Sequence, residues 1–340
     1  MDPLARRELG RTGIDVTQLG FGGAGLGDLF EVVEDAIAAA TLRAAWDAGI
    51  RYFDTSPWYG LGQSEHRFGR ALYRRPRGEF VLSTKVGRLL RAAHDTDRFE
   101  HDFWRGGLKF RHRFDYGYDG VMRSFEDSLQ RLGIPRIDLL LIHDLDFGHH
   151  GTEARVNAYL AELHNGGFRA LAELKAGGLI GGIGVGINEA GMIPRFLDLF
   201  DIDFFLAAMP YTLLDTDVLD DEFPRCTARG VGFVIGAPFA SGILATGAVP
   251  GARYRYAEPT PEVLAKVKRI EAVCARHNVP LAAAVLQFPL GHPSVASVIP
   301  GALLPEHVTR NVAAFRHEIP AAYWEELKYE GLLRSDAPVP

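Results

Sequence analysis

Cysteine is scarce in this sequence, with only Cys226 and Cys274 among 340 residues. Two cysteines are too few for a disulfide framework, which excludes the class of disulfide-stabilised secreted domains. Both lie in segments with helical spacing of apolar residues, where we expect a buried free thiol. The cysteine content therefore predicts a cytoplasmic protein.

The sequence also lacks an excess of positive charge and long apolar runs. The chain has 37 basic against 43 acidic residues, a formal net charge of -6, so it has no basic surplus to neutralise nucleic-acid phosphates. Its longest apolar runs, such as FFLAAM at 204–209, are too short to span a bilayer, and the first ten residues lack the apolar core of a secretory signal. We expect a small-molecule substrate and no nucleic-acid or membrane partner; a monomer and a small homo-oligomer both fit the composition.

Short apolar runs alternate with longer segments of helical spacing along the chain. The short runs predict eight strands, at 19–22, 50–54, 80–85, 137–142, 180–185, 203–208, 231–235 and 296–299. Helical spacing predicts helices at 33–48, 64–74, 119–132, 167–176, 190–199, 216–229, 261–277, 280–290 and 305–314. Eight strand–helix units without a linker favour an α/β fold, one closed (β/α)8 TIM barrel domain over residues 1–340.

Two segments lie outside this count. Residues 6–17 predict a β-hairpin around Thr12 and Gly13, which we place at the barrel floor, and residues 321–333 predict an extra C-terminal helix. Residues 20–25, GFGGAG, match the G-x-G-x-x-G string of Rossmann dinucleotide-binding turns. The acidic residues Asp28, Glu31, Glu34 and Asp35 that follow would repel a phosphate, so we interpret the segment as the first barrel strand and its loop.

Active residues of a (β/α)8 barrel lie just past the carboxyl ends of its strands. Asp54 ends the second predicted strand and Tyr59 follows it; Lys85 ends the third, and His143 follows the fourth. A nearby ammonium favours the phenolate of a tyrosine, and a buried carboxylate can hold that ammonium in place. The pattern predicts Tyr59 as acid/base, Lys85 as its electrostatic partner, Asp54 as the anchor of Lys85, and His143 as the group orienting a substrate oxygen.

Each of these residues also has an ordinary structural interpretation. Asp54 would cap a turn, Tyr59 would pack, Lys85 would be solvated and His143 would be a core histidine. Their joint placement at successive strand ends favours the catalytic interpretation.

The segments that carry these residues resemble the aldo-keto reductases. The stretch FDTSPWYGLGQSEHRFGRAL at 53–72 is similar to the family's strand-two signature, and STKVG and SFEDSLQRLGIPRIDLLLIHD are similar to its lysine and histidine segments. The resemblance implies an oxidoreductase in which Asp54, Tyr59, Lys85 and His143 are catalytic. It also implies hydride transfer to or from C4 of a nicotinamide over the barrel mouth.

The resemblance also implies cofactor contacts. Gly22 and Gly23 would let the nicotinamide ribose approach the backbone, and Asn188 would bind the carboxamide. A predicted pyrophosphate loop contributes Ser241, Gly242 and Leu244. The segment after the last strand contributes Pro300, Gly301, His307, Arg310 and Asn311. Leu303 and Leu304 stand where the family often has a Lys-Ser pair that grips the 2′-phosphate of NADP, which favours NAD, with NADP as the alternative.

Further segments, among them IHDLDFGHHG and GVGINE, resemble a bacterial branch whose members oxidise sugars or pyridoxal. The implied reaction is oxidation of a cyclic hemiacetal to a lactone. The expected activity is an NAD-dependent aldose 1-dehydrogenase that oxidises L-fucose or another D-threo-type sugar at its anomeric carbon; oxidation of pyridoxal to 4-pyridoxolactone is an alternative. An NADPH-dependent carbonyl reductase and a non-enzymatic, nicotinamide-binding redox-sensing subunit remain the alternatives.

The long insertion at 86–118 is expected to shape the substrate pocket. We predict Trp58, Trp104 and Asp144 as substrate contacts. His149 and His150 lie near two aspartates but lack a strong metal-ligand spacing, so the segment predicts a mobile polar loop and no metal site.

Overall fold

The computed structural model describes residues 1–94, 101 and 103–340, and its centre is a barrel of parallel strands. Strands in the described residues are β1 (Arg6–Glu8), β2 (Asp15–Thr17), β3 (Phe21–Gly22), β4 (Tyr52–Asp54), β5 (Val81–Val86), β6 (Arg88–Ala92), β7 (Phe110–Phe114), β8 (Leu139–His143), β9 (Gly182–Ile187), β10 (Phe204–Ala208), β11 (Gly232–Gly236) and β12 (Val295–Ile299).

The eight predicted strands are all present, as β3 to β5 and β8 to β12, and they pair in parallel in chain order. The bridges Leu19 to Val298 and Gly22 to Gly301 join the first of these strands to the last. Gly22 lies opposite Asp54, and Asp54 opposite Ser83, so the carboxyl ends of successive strands meet at one rim. The predicted (β/α)8 barrel of the α/β class is confirmed.

Helices surround this barrel. They are α1 (Asp35–Asp47), α2 (Gln63–Leu72), α3 (Tyr118–Leu132), α4 (Phe147–His150), α5 (Glu153–Glu162), α6 (Phe168–Ala176), α7 (Ile193–Leu199), α8 (Glu222–Ala228), α9 (Ile243–Thr246), α10 (Pro261–Arg276), α11 (Leu281–Gln287), α12 (Pro305–Arg316) and α13 (Ala321–Tyr329). Their apolar sides bury residues such as Phe125 and Phe315 against the outer face of the strands. Among the residues that the structure describes, no helix is long and apolar enough to cross a membrane.

The N-terminal hairpin closes the floor of the barrel, as predicted. Strands β1 and β2 pair antiparallel, and fully buried Leu9 and Val16 join the apolar cluster inside the barrel. Arg7 donates through Nη1 to the carbonyl oxygens of Leu290 and Val295, the latter at the start of β12. The predicted C-terminal helix is α13, which buries Tyr323, Trp324 and Leu327.

One prediction about the loops is wrong. The segment after His143 is not a mobile polar loop: it contains helices α4 and α5, because the Asp146 and Thr152 side chains accept the amides of His149 and Arg155 as N-caps. In the insertion at 86–118, strands β6 and β7 pair as an antiparallel hairpin, and its predicted role in shaping the substrate pocket stays a prediction. The predicted helix 216–229 is shorter, with a 3-10 turn at Asp217–Leu219 followed by α8.

The close packing of α2 against α3 allows a prediction about stability. Helix α2 directly follows the loop that carries Tyr59. A Cβ on Gly69 would lie 2.1 Å from the carbonyl oxygen of Leu132, and that backbone atom cannot rotate away. We expect Gly69→Ala to reduce the free energy of unfolding by about 2 kcal/mol. A Cβ on Gly78 would meet nothing within 4 Å. Gly78→Ala is therefore the control, and equal urea-unfolding midpoints for both variants would contradict the packing interpretation.

Candidate active site

A buried ion pair joins the ends of β4 and β5. Lys85 Nζ donates to Asp54 Oδ2 at 2.7 Å and to the Thr55 carbonyl oxygen at 2.8 Å, and both charged residues are 1% exposed. The hydroxyl of Ser83 donates to Asp54 Oδ1 at 2.7 Å. Burial raises the pKa of Asp54, while Lys85 and Ser83 oppose that shift. The contacts predicted between Asp54 and Lys85 are present, and Ser83 is an addition that the sequence patterns did not indicate.

Tyr59 lies directly beside this pair. Lys85 Nζ is 4.7 Å from the centroid of the Tyr59 ring, and the ring is partly exposed at the rim. The pKa of Tyr59 is raised well above 10, first by burial and then by the negative charges of Asp54 and Asp144; Arg88 opposes the shift. Desolvation therefore outweighs the opposing charge of Arg88, and the predicted role of Lys85 as electrostatic partner of Tyr59 stays a prediction. In this state Tyr59 is a neutral phenol.

His143 faces Tyr59 across the site. The two ring centroids are 5.7 Å apart and the rings are nearly perpendicular. His143 Nδ1 lies 3.0 Å from the Ser56 hydroxyl, and Nε2 lies 3.4 Å from Asp144 Oδ2. Burial holds the pKa of His143 well below its usual range, with Asp144 opposing. The imidazole is therefore neutral and can act as a hydrogen-bond donor at one nitrogen only.

A second buried ion pair, Arg88 with Asp144, lies behind His143. Arg88 Nη1 donates to Asp144 Oδ2, and Asn188 Nδ2 donates to Oδ1 at 2.9 Å. Burial raises the pKa of Asp144, but His143, Arg88 and His149 together outweigh it and hold the pKa well below its usual value. Asp144 is thus a carboxylate that anchors neighbouring side chains, and Asn188, the predicted carboxamide ligand, is one of them.

Aromatic rings form one wall of the site. The Arg88 guanidinium lies between the rings of Trp58 and Phe114, at 4.4 and 4.8 Å from their centroids. Trp58 packs perpendicular to Trp104 at 5.7 Å, and Trp104 lies 5.9 Å from Tyr59. The structure therefore brings the three predicted substrate contacts, Trp58, Trp104 and Asp144, to the surroundings of Tyr59 and His143.

Tyr116 lies near the end of the insertion, and its ring is fully buried. Its hydroxyl donates to the backbone oxygen of His143 at 2.8 Å. Tyr116 therefore supports the loop after β8 from behind.

Asp144, Asp146 and His149 place one ligand atom each within 4.8 Å of one another. Three such groups are compatible with a metal ion. The Arg88 cation already neutralises Asp144, however, and His149 donates to Asp146 across 2.7 Å. These contacts give the cluster a sufficient role as an internal salt-bridge network.

The predicted cofactor residues lie along the rim between β3, β11 and β12. Gly22 pairs with Gly301, where a Cβ would project into open space with only the Gly22 oxygen within 4 Å. A Cβ on Gly23 would lie 2.7 Å from the Asp54 oxygen, so packing alone requires a glycine there. A Cβ on Gly22 would lie 2.8 Å from the Ile299 carbonyl oxygen, so close backbone packing requires a glycine there, and only Gly301 is open.

The loop after β11 is held in a strained turn. Ser241 and Gly242 have φ values of 65° and 114°, and the Ser241 hydroxyl accepts the Tyr256 amide at 3.0 Å. Leu244 is fully buried, and its amide donates to the Phe239 oxygen at 3.1 Å.

The predicted contacts after β12 begin at Pro300 and continue onto α12. His307 and Asn311 are partly buried, and Arg310 is exposed. Nδ1 of His307 accepts the Leu303 amide at 3.4 Å, which holds the histidine against the start of the helix.

Sequence reasoning missed Ser56, Ser83 and the bridging role of Arg88. Ser56 and Ser83 flank the predicted catalytic residues within two or three positions, so their signal was a hydroxyl beside a strand end. Arg88 belongs to the insertion, and no local pattern connects it to Asp144, 56 residues later.

The rim therefore carries a buried Lys–Asp pair, a tyrosine and a histidine at the carboxyl ends of barrel strands, which is the arrangement of a barrel enzyme that moves protons. The model of the aldo/keto reductase family matches residues 18–329. The chain belongs to this family of oxidoreductases, whose members use nicotinamide cofactors.

Individual relatives agree with this assignment. The chain is 45% identical over 337 residues to a pyridoxal 4-dehydrogenase from Microbacterium luteolum, covering 96% of this chain and 98% of that protein. It is 38% identical over 323 residues to a D-threo-aldose 1-dehydrogenase from a Pseudomonas species, covering 93% and 94%. It is also similar to the holo form of an aldo-keto reductase from Bacillus halodurans, with a TM-score of 0.74, 27% identity and 98% of each chain covered.

The buried Arg88–Asp144 pair allows a prediction about the free energy of unfolding. Removing either partner leaves the other as an unpaired buried charge or an unpaired buried polar group, so Arg88→Met and Asp144→Asn should each destabilise the fold by about 3 kcal/mol. The double variant should lose less than the sum of the two, by about 2 kcal/mol. Urea unfolding of the four proteins measures this coupling, and strictly additive losses would show that the two side chains do not stabilise each other.

Proposed function

We propose that the protein oxidises a cyclic hemiacetal to a lactone with NAD as hydride acceptor. The observation that carries the proposal is the placement of Tyr59 between the Lys85–Asp54 pair and the neutral imidazole of His143. A tyrosine in this position can accept the proton of a substrate hydroxyl, while a histidine N–H holds the same oxygen. Hydride leaves the carbon that carries this oxygen, and the oxygen becomes the lactone carbonyl.

The cofactor would bind along the rim at Gly22, Gly301, Ser241 and Gly242, with Asn188 near the nicotinamide. When bound, it supplies the hydride acceptor and a positive charge that favours the tyrosinate over the phenol. This positive charge would lower the pKa of Tyr59 from its raised value in the free protein. Lys85 would then have to supply less of the stabilisation of the tyrosinate. Lys85 and Asp54 form a polar environment of fixed geometry around the tyrosine. This environment limits the reorganisation that proton transfer requires.

The substrate class rests on the two relatives and on the aromatic wall. One relative is a pyridoxal dehydrogenase and the other an aldose dehydrogenase. Both compounds form cyclic hemiacetals, so one set of catalytic groups serves either. Trp58 is partly exposed and packs perpendicular to Trp104, which is only 5% exposed, so Trp58 is the indole on which a flat substrate ring could stack. The higher identity to the pyridoxal dehydrogenase favours pyridoxal over an aldose such as L-fucose.

The preference for NAD rests on the start of α12. Leu303 and Leu304 provide no charge for a 2′-phosphate, and the exposed Arg310 is the cation that could reach one. We infer that the reaction takes place in the cytoplasm, where two buried free thiols are compatible with a reducing environment.

A substrate panel tests the proposed activity. Mixing the protein and NAD with pyridoxal, L-fucose, D-arabinose or L-galactose should produce NADH absorbance with at least one compound, and pyridoxal should give the highest kcat/KM. Fast reduction of carbonyl compounds by NADPH, without oxidation of any hemiacetal, would favour the carbonyl reductase instead. Tight NAD binding with negligible turnover on the whole panel would favour the redox-sensing subunit.

Tyr59→Phe tests the acid/base role. Removing the hydroxyl should lower kcat by about 1000-fold and leave NAD affinity within a few-fold of the wild type, because the ring is retained. Tyr73→Phe is the matched control, since Tyr73 is 52% exposed on the outer surface. Turnover by Tyr59→Phe at the wild-type rate would exclude Tyr59 as the acid/base.

Cofactor selectivity is tested by comparing NAD with NADP. We expect NAD to bind about tenfold more tightly, because a phosphate dianion would lack paired cations near Leu303. Arg310→Ala should weaken NADP binding and leave NAD binding nearly unchanged. A preference for NADP that persists in Arg310→Ala would contradict this assignment.

A further inference from the structure

His143 has a potential hydrogen-bonding partner at each ring nitrogen. Nδ1 lies 3.0 Å from the Ser56 hydroxyl, and Nε2 lies 3.4 Å from Asp144 Oδ2. Ser56 is fully buried, on the loop that also carries Tyr59. A neutral imidazole carries one proton, so its two neighbours decide which nitrogen is the donor.

The Nε2 side faces a carboxylate. Asp144 is paired with Arg88 and accepts the Asn188 amide at 2.9 Å, which stabilises its ionised form. An ionised carboxylate can only accept hydrogen bonds. An Nε2 without its proton would therefore direct a lone pair at the oxygen lone pairs of Asp144. The single proton of the ring belongs on Nε2.

The Nδ1 side faces a hydroxyl with a proton to give. Ser56 Oγ accepts the backbone N–H of Trp58 at 3.1 Å, which occupies one of its lone pairs. With the ring proton on Nε2, Nδ1 is an acceptor, and the Ser56 hydroxyl can donate to it. The Trp58 amide and the Ser56 hydroxyl then each supply the proton of one hydrogen bond, and the Nε2–H of His143 faces the Asp144 carboxylate.

We propose that Ser56 is a positioning residue that fixes His143 as its Nε2–H tautomer and thereby presents this N–H to the substrate oxygen. The inference rests on the proposed function and extends it from His143 to the hydroxyl that orients it. Ser56 does not touch the substrate. It holds the imidazole so that the Nε2–H faces Asp144 in the free protein and donates to the reacting oxygen in the complex.

The first experiment needs no activity. Nitrogen NMR of the protein labelled with 15N-histidine reports the protonation of each ring nitrogen, and loss of signals in His143→Asn assigns His143. We expect Nδ1 in the range of an unprotonated, hydrogen-bonded nitrogen and Nε2 in the range of a protonated one. A proton on Nδ1 in the wild-type protein would overturn the proposal.

The second experiment removes the hydroxyl. In Ser56→Ala, the Nδ1 resonance should move toward that of a nitrogen without a hydrogen bond, and kcat should fall about tenfold with little change in the KM for NAD. Ser124→Ala is the matched control, because Ser124 is a buried serine on α3 whose hydroxyl has no partner in the described part of the chain. An unchanged Nδ1 resonance together with wild-type kcat in Ser56→Ala would overturn the proposal.

These two readouts separate the inference from the proposed function. If no substrate in the panel is oxidised, the proposed function fails, but the NMR experiment still decides the tautomer. If a hemiacetal is oxidised and His143 carries its proton on Nδ1, the activity stands and the role of Ser56 is wrong.

Discussion

The ion pair between Lys85 and Asp54 is the interaction on which the rest of the site depends. Removing two charges from water is expensive, and their attraction compensates only if the remaining polar atoms are satisfied. Ser83 and the Thr55 carbonyl supply these contacts. The pair joins Asp54, the last residue of β4, to Lys85 near the end of β5, and the loop that carries Tyr59 begins at this point.

A second pair, Arg88 with Asp144, does the same on the other side of the site. Tyr59 and His143 lie between the two pairs and are both neutral, since burial disfavours their charged forms. Fixed charges around neutral side chains are a suitable environment for proton transfer, because the surroundings do not have to reorganise when the proton moves. The loops after β4 and β8 are joined by the contact of Ser56 with His143, so the two neutral groups are positioned together.

The sequence predicts the barrel and the four groups at its rim well, because strand periodicity and strand-end spacing are local signals. It fails where the determining contacts are distant. The pKa of Tyr59 depends on burial among residues from several loops. The helices after His143 are a different case, because their N-caps Asp146 and Thr152 are local signals that the sequence interpretation overlooked. The pairing of Arg88 with Asp144 joins an insertion to a strand end. Cofactor contacts such as Leu244 and Asn188 remain predictions, since a side chain's direction at the rim is not encoded in spacing.

Isotope transfer tests hemiacetal oxidation most directly. A substrate deuterated at the hemiacetal carbon, pyridoxal first and then an aldose, is incubated with the protein and NAD, and both products are examined by mass spectrometry and NMR. The account predicts deuterium at C4 of the reduced nicotinamide and a lactone that has lost it. Deuterium retained in the organic product, or released to water, would contradict direct hydride transfer from the hemiacetal carbon.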